Sequence, residues 1–240
     1  MSINRTNEND YESSLSGQSV LVLFIAMSLG ILAAVLLLPN WLPGLAGSLT
    51  GAAPKAFWYL SRATAFVALG LLWASMMLGV GITNKMARLW PGAPAAFALH
   101  EYLSLLGLGF AAFHGLILLG DQYSHFSLFQ ILIPFATSRY FPFWVGLGQL
   151  GFYAWAILAV SFYICKSIGQ KTWRVLHYVS FLAYLGAMIH GLTSGNDSGL
   201  GWVQGFYWLT GGSFLFLLTY RIVNSLVEKA GKLFSSPAQH

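Results

Sequence analysis

Residues 99–116 read LHEYLSLLGLGFAAFHGL. The run is apolar and of membrane-spanning character, yet it carries two histidines, His100 and His114, fourteen residues apart. A polar ring inside a lipid bilayer is costly unless something uses it, so an intramembrane histidine is read first as part of a functional site. Fourteen residues make nearly four helical turns, which puts both rings on one face and separates them by roughly 20 Å along the axis.

The rest of the chain supplies the setting. Of its 240 residues 57% are hydrophobic and only 8% charged, more apolar surface than a soluble domain of that size can hide. Six apolar stretches, near 19–39, 56–80, 97–120, 142–165, 173–193 and 203–226, each approach the ~20 residues a helix needs to cross the hydrocarbon core. Turn chemistry separates them: Asn40 with Pro43 and Gly44, Pro91-Gly92 with Pro94, Pro142, and Ser194-Gly195-Asn196-Asp197. The first stretch is too long for a signal peptide and lacks a basic leader, so it reads as a retained helix. Polar residues 1–18 read as a disordered cytoplasmic tail and residues 227–240 as a second tail. A single cysteine, Cys165, excludes an internal disulfide and reads as a small apolar residue at a helix end.

The formal net charge of +5 does not indicate a nucleic-acid partner, because its carriers lie between the apolar stretches. If six helices alternate, Arg5, Lys85, Arg88, Lys166, Lys171, Arg174, Arg221, Lys229 and Lys232 fall on one side. Lys55 and Arg139 fall on the other, and Arg62 lies within the second stretch. The positive-inside rule then puts both termini in the cytoplasm.

A second histidine pair completes the pattern. Residues 173–192, WRVLHYVSFLAYLGAMIHGL, hold His177 and His190, thirteen residues apart. In the six-helix topology the third and fifth helices both run outward. His100 and His177 therefore share an inner depth, and His114 and His190 an outer one. Two facing imidazoles suit the two axial positions of a haem iron, with the flat macrocycle filling the gap between helices. Thirteen residues fall well short of a whole number of turns, so an ideal straight helix would splay the second pair, and a kink or wide turn near Gly186 could recover the alignment. Unrelated interhelical hydrogen bonds or a proton path are the competing readings. A zinc or copper site fits less well, since each level offers two histidines with no carboxylate nearby beyond Glu101.

These features resemble the ferric reductase-like transmembrane domain superfamily, which includes ferric-chelate reductases, NADPH oxidases and the haem-binding membrane subunit of the bacterial methionine sulfoxide reductase system. The resemblance rests on the fourteen- and thirteen-residue histidine spacings. It also rests on WYLSRAT at 58–64, His100 with Tyr102-Leu103, His114-Gly115, WRVLHYVS at 173–180 and His190-Gly191. It covers about residues 56–225 and implies an all-α six-helix bundle with two haem b groups, one held by His100 and His177 and the other by His114 and His190. The implied activity is one-electron transfer across a membrane, in a bacterial inner membrane. The flavin and nicotinamide module of ferric reductases is not matched: about a dozen residues follow the last stretch, without a Gly-rich dinucleotide fingerprint. Electrons are therefore expected from a separate donor protein, from FMN or FAD at the cytoplasmic face, or from a quinol, and they pass to an extracytoplasmic acceptor. A membrane-anchor subunit of a periplasmic oxidoreductase, a proton-coupled transporter and a structural subunit are the alternatives.

Further residues attach to this scheme. Arg62, towards the outer leaflet, is expected to pair with a haem propionate, or else to snorkel to the headgroups. Arg174, with Lys171 and Arg88, is expected near the inner haem, holding propionates or docking an acidic donor, unless these residues only set topology. Phe110, Phe113, Phe181 and Tyr184 fall between the two depths, as packing or as lining of the electron path. Glu101 is read as facing the headgroups, with tuning of the inner site as the alternative. His125 reads as a solvated loop residue, with a ferric site beside Asp121 as the alternative. Trp58, Trp144, Trp173 and Trp202 suit an interfacial belt.

Overall fold

The structure, a computed structural model, describes residues 16–41, 44, 47, 55–84, 92–137 and 140–235. Every regular element among them is helical: α1 (Gly17–Trp41), α2 (Ala56–Thr83), α3 (Ala93–Leu116) continued by a 3₁₀ turn (Ile117–Gly120), α4 (Leu128–Leu132), α5 (Pro142–Tyr163), α6 (Cys165–Ile168), α7 (Gln170–His177), α8 (Val179–Ser194) and α9 (Gly201–Ser235). Prolines mark the starts that turn chemistry had suggested. Pro94 lies in the first turn of α3 and Pro142 opens α5, where a missing N–H costs nothing.

Four segments, Ala56–Thr83, Ala93–Gly120, Pro142–Tyr163 and Gln170–Ser194, are long and apolar enough to cross a bilayer, which marks an integral membrane protein. They correspond to the second to fifth apolar stretches. The first and last stretches are helical as well. The last one overruns its expected end at 226 and continues to Ser235, because no proline intervenes before Pro237 and the residues between are mostly good helix formers. The expected tail over 1–18 lies almost wholly outside the described residues, and α1 already begins at Gly17.

Two antiparallel pairs dominate the bundle, α2 with α3 and α5 with α8. Lipid offers helices no hydrophobic drive to associate, so close approach depends on small residues. A Cβ at Gly107 of α3 would lie 2.8 Å from the Trp155 indole of α5, and a Cβ at Gly148 would lie 2.6 Å from the His190 ring. α9 completes the bundle. It runs alongside α2, where Trp73 Nε1 donates to Ser213 Oγ at 2.8 Å, and against α8, where Tyr184 donates to the Thr210 carbonyl at 3.0 Å. The core comprises Leu69, Leu72, Met76, Leu108, Trp155, Tyr184, Val203, Tyr207 and Phe214. α1 rests on α3 at Gly109, against Phe24 and Met27.

Candidate functional site

The four span histidines meet as two pairs. The His100 and His177 ring centroids are 6.1 Å apart with planes at 71°, and those of His114 and His190 are 6.2 Å apart at 68°. Both pairs join α3 to the α7–α8 rod, and residue numbers rise together along the two, so the rods are parallel. Fourteen residues of α3 separate the levels by about 21 Å.

What aims the rings is a set of backbone carbonyls. His100 Nδ1 lies 2.8 Å from the Ser75 carbonyl, His114 Nδ1 lies 2.8 Å from the Ser61 carbonyl, and His190 Nδ1 lies 2.9 Å from the Trp144 carbonyl. A carbonyl only accepts, so Nδ1 is protonated in each ring, and in the neutral ring Nε2 then keeps its lone pair. The serines add a second tie: Ser61 Oγ donates to the His114 carbonyl at 2.9 Å, and Ser75 Oγ to the His100 carbonyl at 3.3 Å. Fourteen residues forward on α3 match fourteen back on α2, the register of an antiparallel pair. Neither serine stood out in the sequence. Their shared spacing with the histidines was the available signal.

His177 is the exception. Its Nδ1 is buried and has no hydrogen-bond partner, and its ring stacks on Trp173 at 4.9 Å and 30°. The expected kink near Gly186 is corrected here, since Gly186 sits inside the continuous α8. The realignment occurs at Tyr178, and it is a tight turn rather than a wide one. Tyr178 N–H donates to the Val175 carbonyl and Phe181 N–H to the Tyr178 carbonyl, both at 3.2 Å. Bonds three residues apart overwind the helix, which lets thirteen residues span the turns that would otherwise need fourteen.

Two imidazoles that each place a nitrogen about 2 Å from one metal ion put their centroids about 6 Å apart. Both pairs meet that separation. No group of three or more His, Cys, Asp or Glu converges among the described residues, so neither level offers the ligand set of a closed zinc site. Two facing imidazoles at this separation are a set that a tetrapyrrole, with four nitrogens of its own, could complete. At the outer-expected level a cavity of about 350 Å³ opens around His114 and His190, walled by Trp58, Ser61, Gly148 and Phe152 among others, within the range of cofactor sites.

Arg62 lies on the wall of that cavity and forms an ion pair with Asp197, from the turn after α8, while its guanidinium lies 5.8 Å over the Tyr59 ring. The propionate expectation thus gains a competitor that the sequence did not suggest, a carboxylate of the chain itself. Tyr140 closes the same mouth by donating to the Ser194 carbonyl and to Asn196 Oδ1, each at 2.7 Å. Burial raises the Tyr140 hydroxyl above its ordinary pKa, with Tyr123 adding to the shift and Arg62 opposing it, so it stays protonated as a donor.

Arg174 and Lys171 are exposed on α7, within two turns of His177, while Arg88 lies outside the described residues. Glu101 is corrected: it is buried and accepts a hydrogen bond from Tyr163 at 2.9 Å, because its direction on α3 faces α5 rather than the headgroups. Of the aromatics expected between the levels, Phe181 and Tyr184 turn towards Phe214 of α9. Trp155, over Gly107 midway between His100 and His114, occupies that depth instead. His125 is an exposed loop residue, and the buried Asp121 carboxylate is held by Ser124 through its N–H and hydroxyl. No family model, curated protein or solved structure matches the chain.

Proposed function

We propose that this protein is a di-haem b-type membrane cytochrome. In this reading α1, α2, α3, α5, the α7–α8 rod and α9 are six spans, with both termini at the cytoplasmic side of a bacterial plasma membrane. Electrons enter there from a separate reductase, a flavin or a quinol and leave to an extracytoplasmic acceptor. The observation that carries the reading is the pair of matched imidazole gaps, 6.1 and 6.2 Å, repeated fourteen residues apart on α3.

His100 and His177 hold one group, and His114 and His190 the other. A haem bound at each level supplies a one-electron iron couple. The chain does the rest. The Ser61, Ser75 and Trp144 carbonyls keep the proton on Nδ1 and orient the rings, and a hydrogen bond of this kind strengthens histidine ligation. Trp155, Leu72 and Leu108 fill the bundle between the levels and keep water out, which holds the path at low dielectric. Arg62 sets a positive charge beside the outer level.

The test is a reduced-minus-oxidised optical spectrum of the detergent-purified protein with haem quantified per chain. Two b-type haems per chain are expected, falling to one in His100→Ala and in His190→Ala. Protein that carries no haem after expression with ample haem supply overturns the reading in favour of a proton-relay or structural subunit.

A further inference from the structure

Three of the four span histidines are anchored through Nδ1 to a carbonyl of the neighbouring rod, and His177 is not. On α5, fourteen residues beyond the Trp144 carbonyl that anchors His190 lies the Leu158 carbonyl. The hydroxyl of buried Ser161 donates to that carbonyl at 2.8 Å, and His177 does not. Only thirteen residues separate His177 from His190, and the tight turn at Tyr178 takes up the difference for the ring position. The buried Nδ1 of His177 has no hydrogen-bond partner.

The element that carries His177 is short and meets the bundle through Trp173, whose ring lies 5.9 Å from that of Phe162 on α5. α7 is eight residues long. It is bounded by the Tyr178 turn at one end and at the other by Gly169, whose φ of 83° suits glycine. Around His177 the residues Lys171, Arg174, Val175, Leu176 and Tyr178 are exposed. Trp173 rides on the same short helix, stacked on the His177 ring, and its buried Nε1 has no partner either. The imidazole and the indole can therefore swing together without breaking a hydrogen bond of their own. Losing the hydrogen-bond partner of a ligating ring weakens metal binding by about 10- to 100-fold.

We propose that His177 is the exchangeable ligand, and that the His100 level takes a small neutral diatomic molecule, of the carbon monoxide or nitric oxide class, in the position His177 vacates. This rests on the di-haem reading above. The ligand donates a lone pair to ferrous iron as the His177 Nε2 bond breaks, and no electron is gained or lost. The His114 level, whose two rings are both anchored inside the bundle, excludes the same ligand.

The probe is carbon monoxide, added to the dithionite-reduced holoprotein in detergent, with a difference spectrum recorded against the haem content of the same sample. One of the two haems is expected to bind it and the other to remain unchanged. Fewer than two haems per chain before carbon monoxide is added overturns the di-haem reading itself. Two haems with no carbon monoxide band at saturation overturns the exchange proposal alone, and two reactive haems overturns the assignment to His177. The His114→Ala chain, which retains only the His100 level, is expected to bind carbon monoxide with all its remaining haem. Unreactive haem in that variant counts equally against the proposal. Trp173→Ala removes the stacking partner and is expected to raise the association rate at unchanged haem content. An unchanged rate at unchanged haem content contradicts the role given to the α7 swing.

Discussion

At the His114 level both rings donate through Nδ1 to a carbonyl of an adjacent rod, Ser61 on α2 and Trp144 on α5, and a cavity opens between them. At the His100 level one ring is anchored in the same way by Ser75, while its partner leans on Trp173 with its Nδ1 unpaired. The ring gaps nonetheless agree to within 0.1 Å and the plane angles to within 3°, from 6.1 against 6.2 Å and 71° against 68°. The same gap is thus reached by two means, hydrogen-bonded register at one level and a local overwinding at the other. Anchoring sets how firmly a ligand is held, while backbone geometry sets where it sits.

Substitutions that touch one level and spare the other sharpen this contrast. The largest effect is expected from Gly148→Leu. A Cβ there lies 2.6 Å from the His190 ring, so the ring is displaced, and the protein should keep its His100-level haem and lose the other, read as one haem per chain. Next is Gly107→Val beneath Trp155. Its Cβ would lie 2.8 Å from the indole and 3.1 Å from Leu71, and overpacking of this kind costs about 1–3 kcal/mol. Thermal unfolding in detergent should shift down while haem stoichiometry stays at two.

Arg62→Met follows. The pair with Asp197 is partly exposed, at 30% and 16% for the two side chains, so screening limits the stability loss to about 1 kcal/mol or less. Removing a positive charge beside the His114 level favours the oxidised form. A redox titration should show that haem's potential fall while the other stays in place; movement of both together breaks the two-level picture. The smallest effect belongs to Ser61→Ala. The carbonyl anchor of His114 survives, and only the hydroxyl tie is lost, worth about 0.5–1.5 kcal/mol. Haem affinity at that level should drop by less than tenfold with an unchanged optical spectrum.

Much of this was legible in the sequence. The fourteen-residue spacing of His100 and His114 gave one face of one helix, and the prolines at 94 and 142 gave helix starts. What periodicity does not give is register between helices. Ser61 and Ser75 carry the same fourteen-residue spacing as the histidines they anchor, yet nothing in a single helix says that α2 lies antiparallel to α3 at that offset. Asp197 escaped notice as the partner of Arg62 for the same reason, since 135 residues separate them. Glycine marks flexibility and so draws attention to Gly186, whereas the overwinding at Tyr178 needs only two bonds three residues apart. The helix α4 did have a local signature, the capping box Ser127 to Gln130.

The most direct test of the central claim is the low-temperature electron paramagnetic resonance spectrum of the oxidised holoprotein. Two imidazole planes near 70° to one another leave the two upper occupied iron orbitals nearly degenerate. The account predicts low-spin ferric signals of the strongly anisotropic type, one from each level, with one disappearing in His114→Ala. A high-spin ferric signal from both haems of the native chain would mean that the facing histidines do not ligate iron as pairs, and would contradict it.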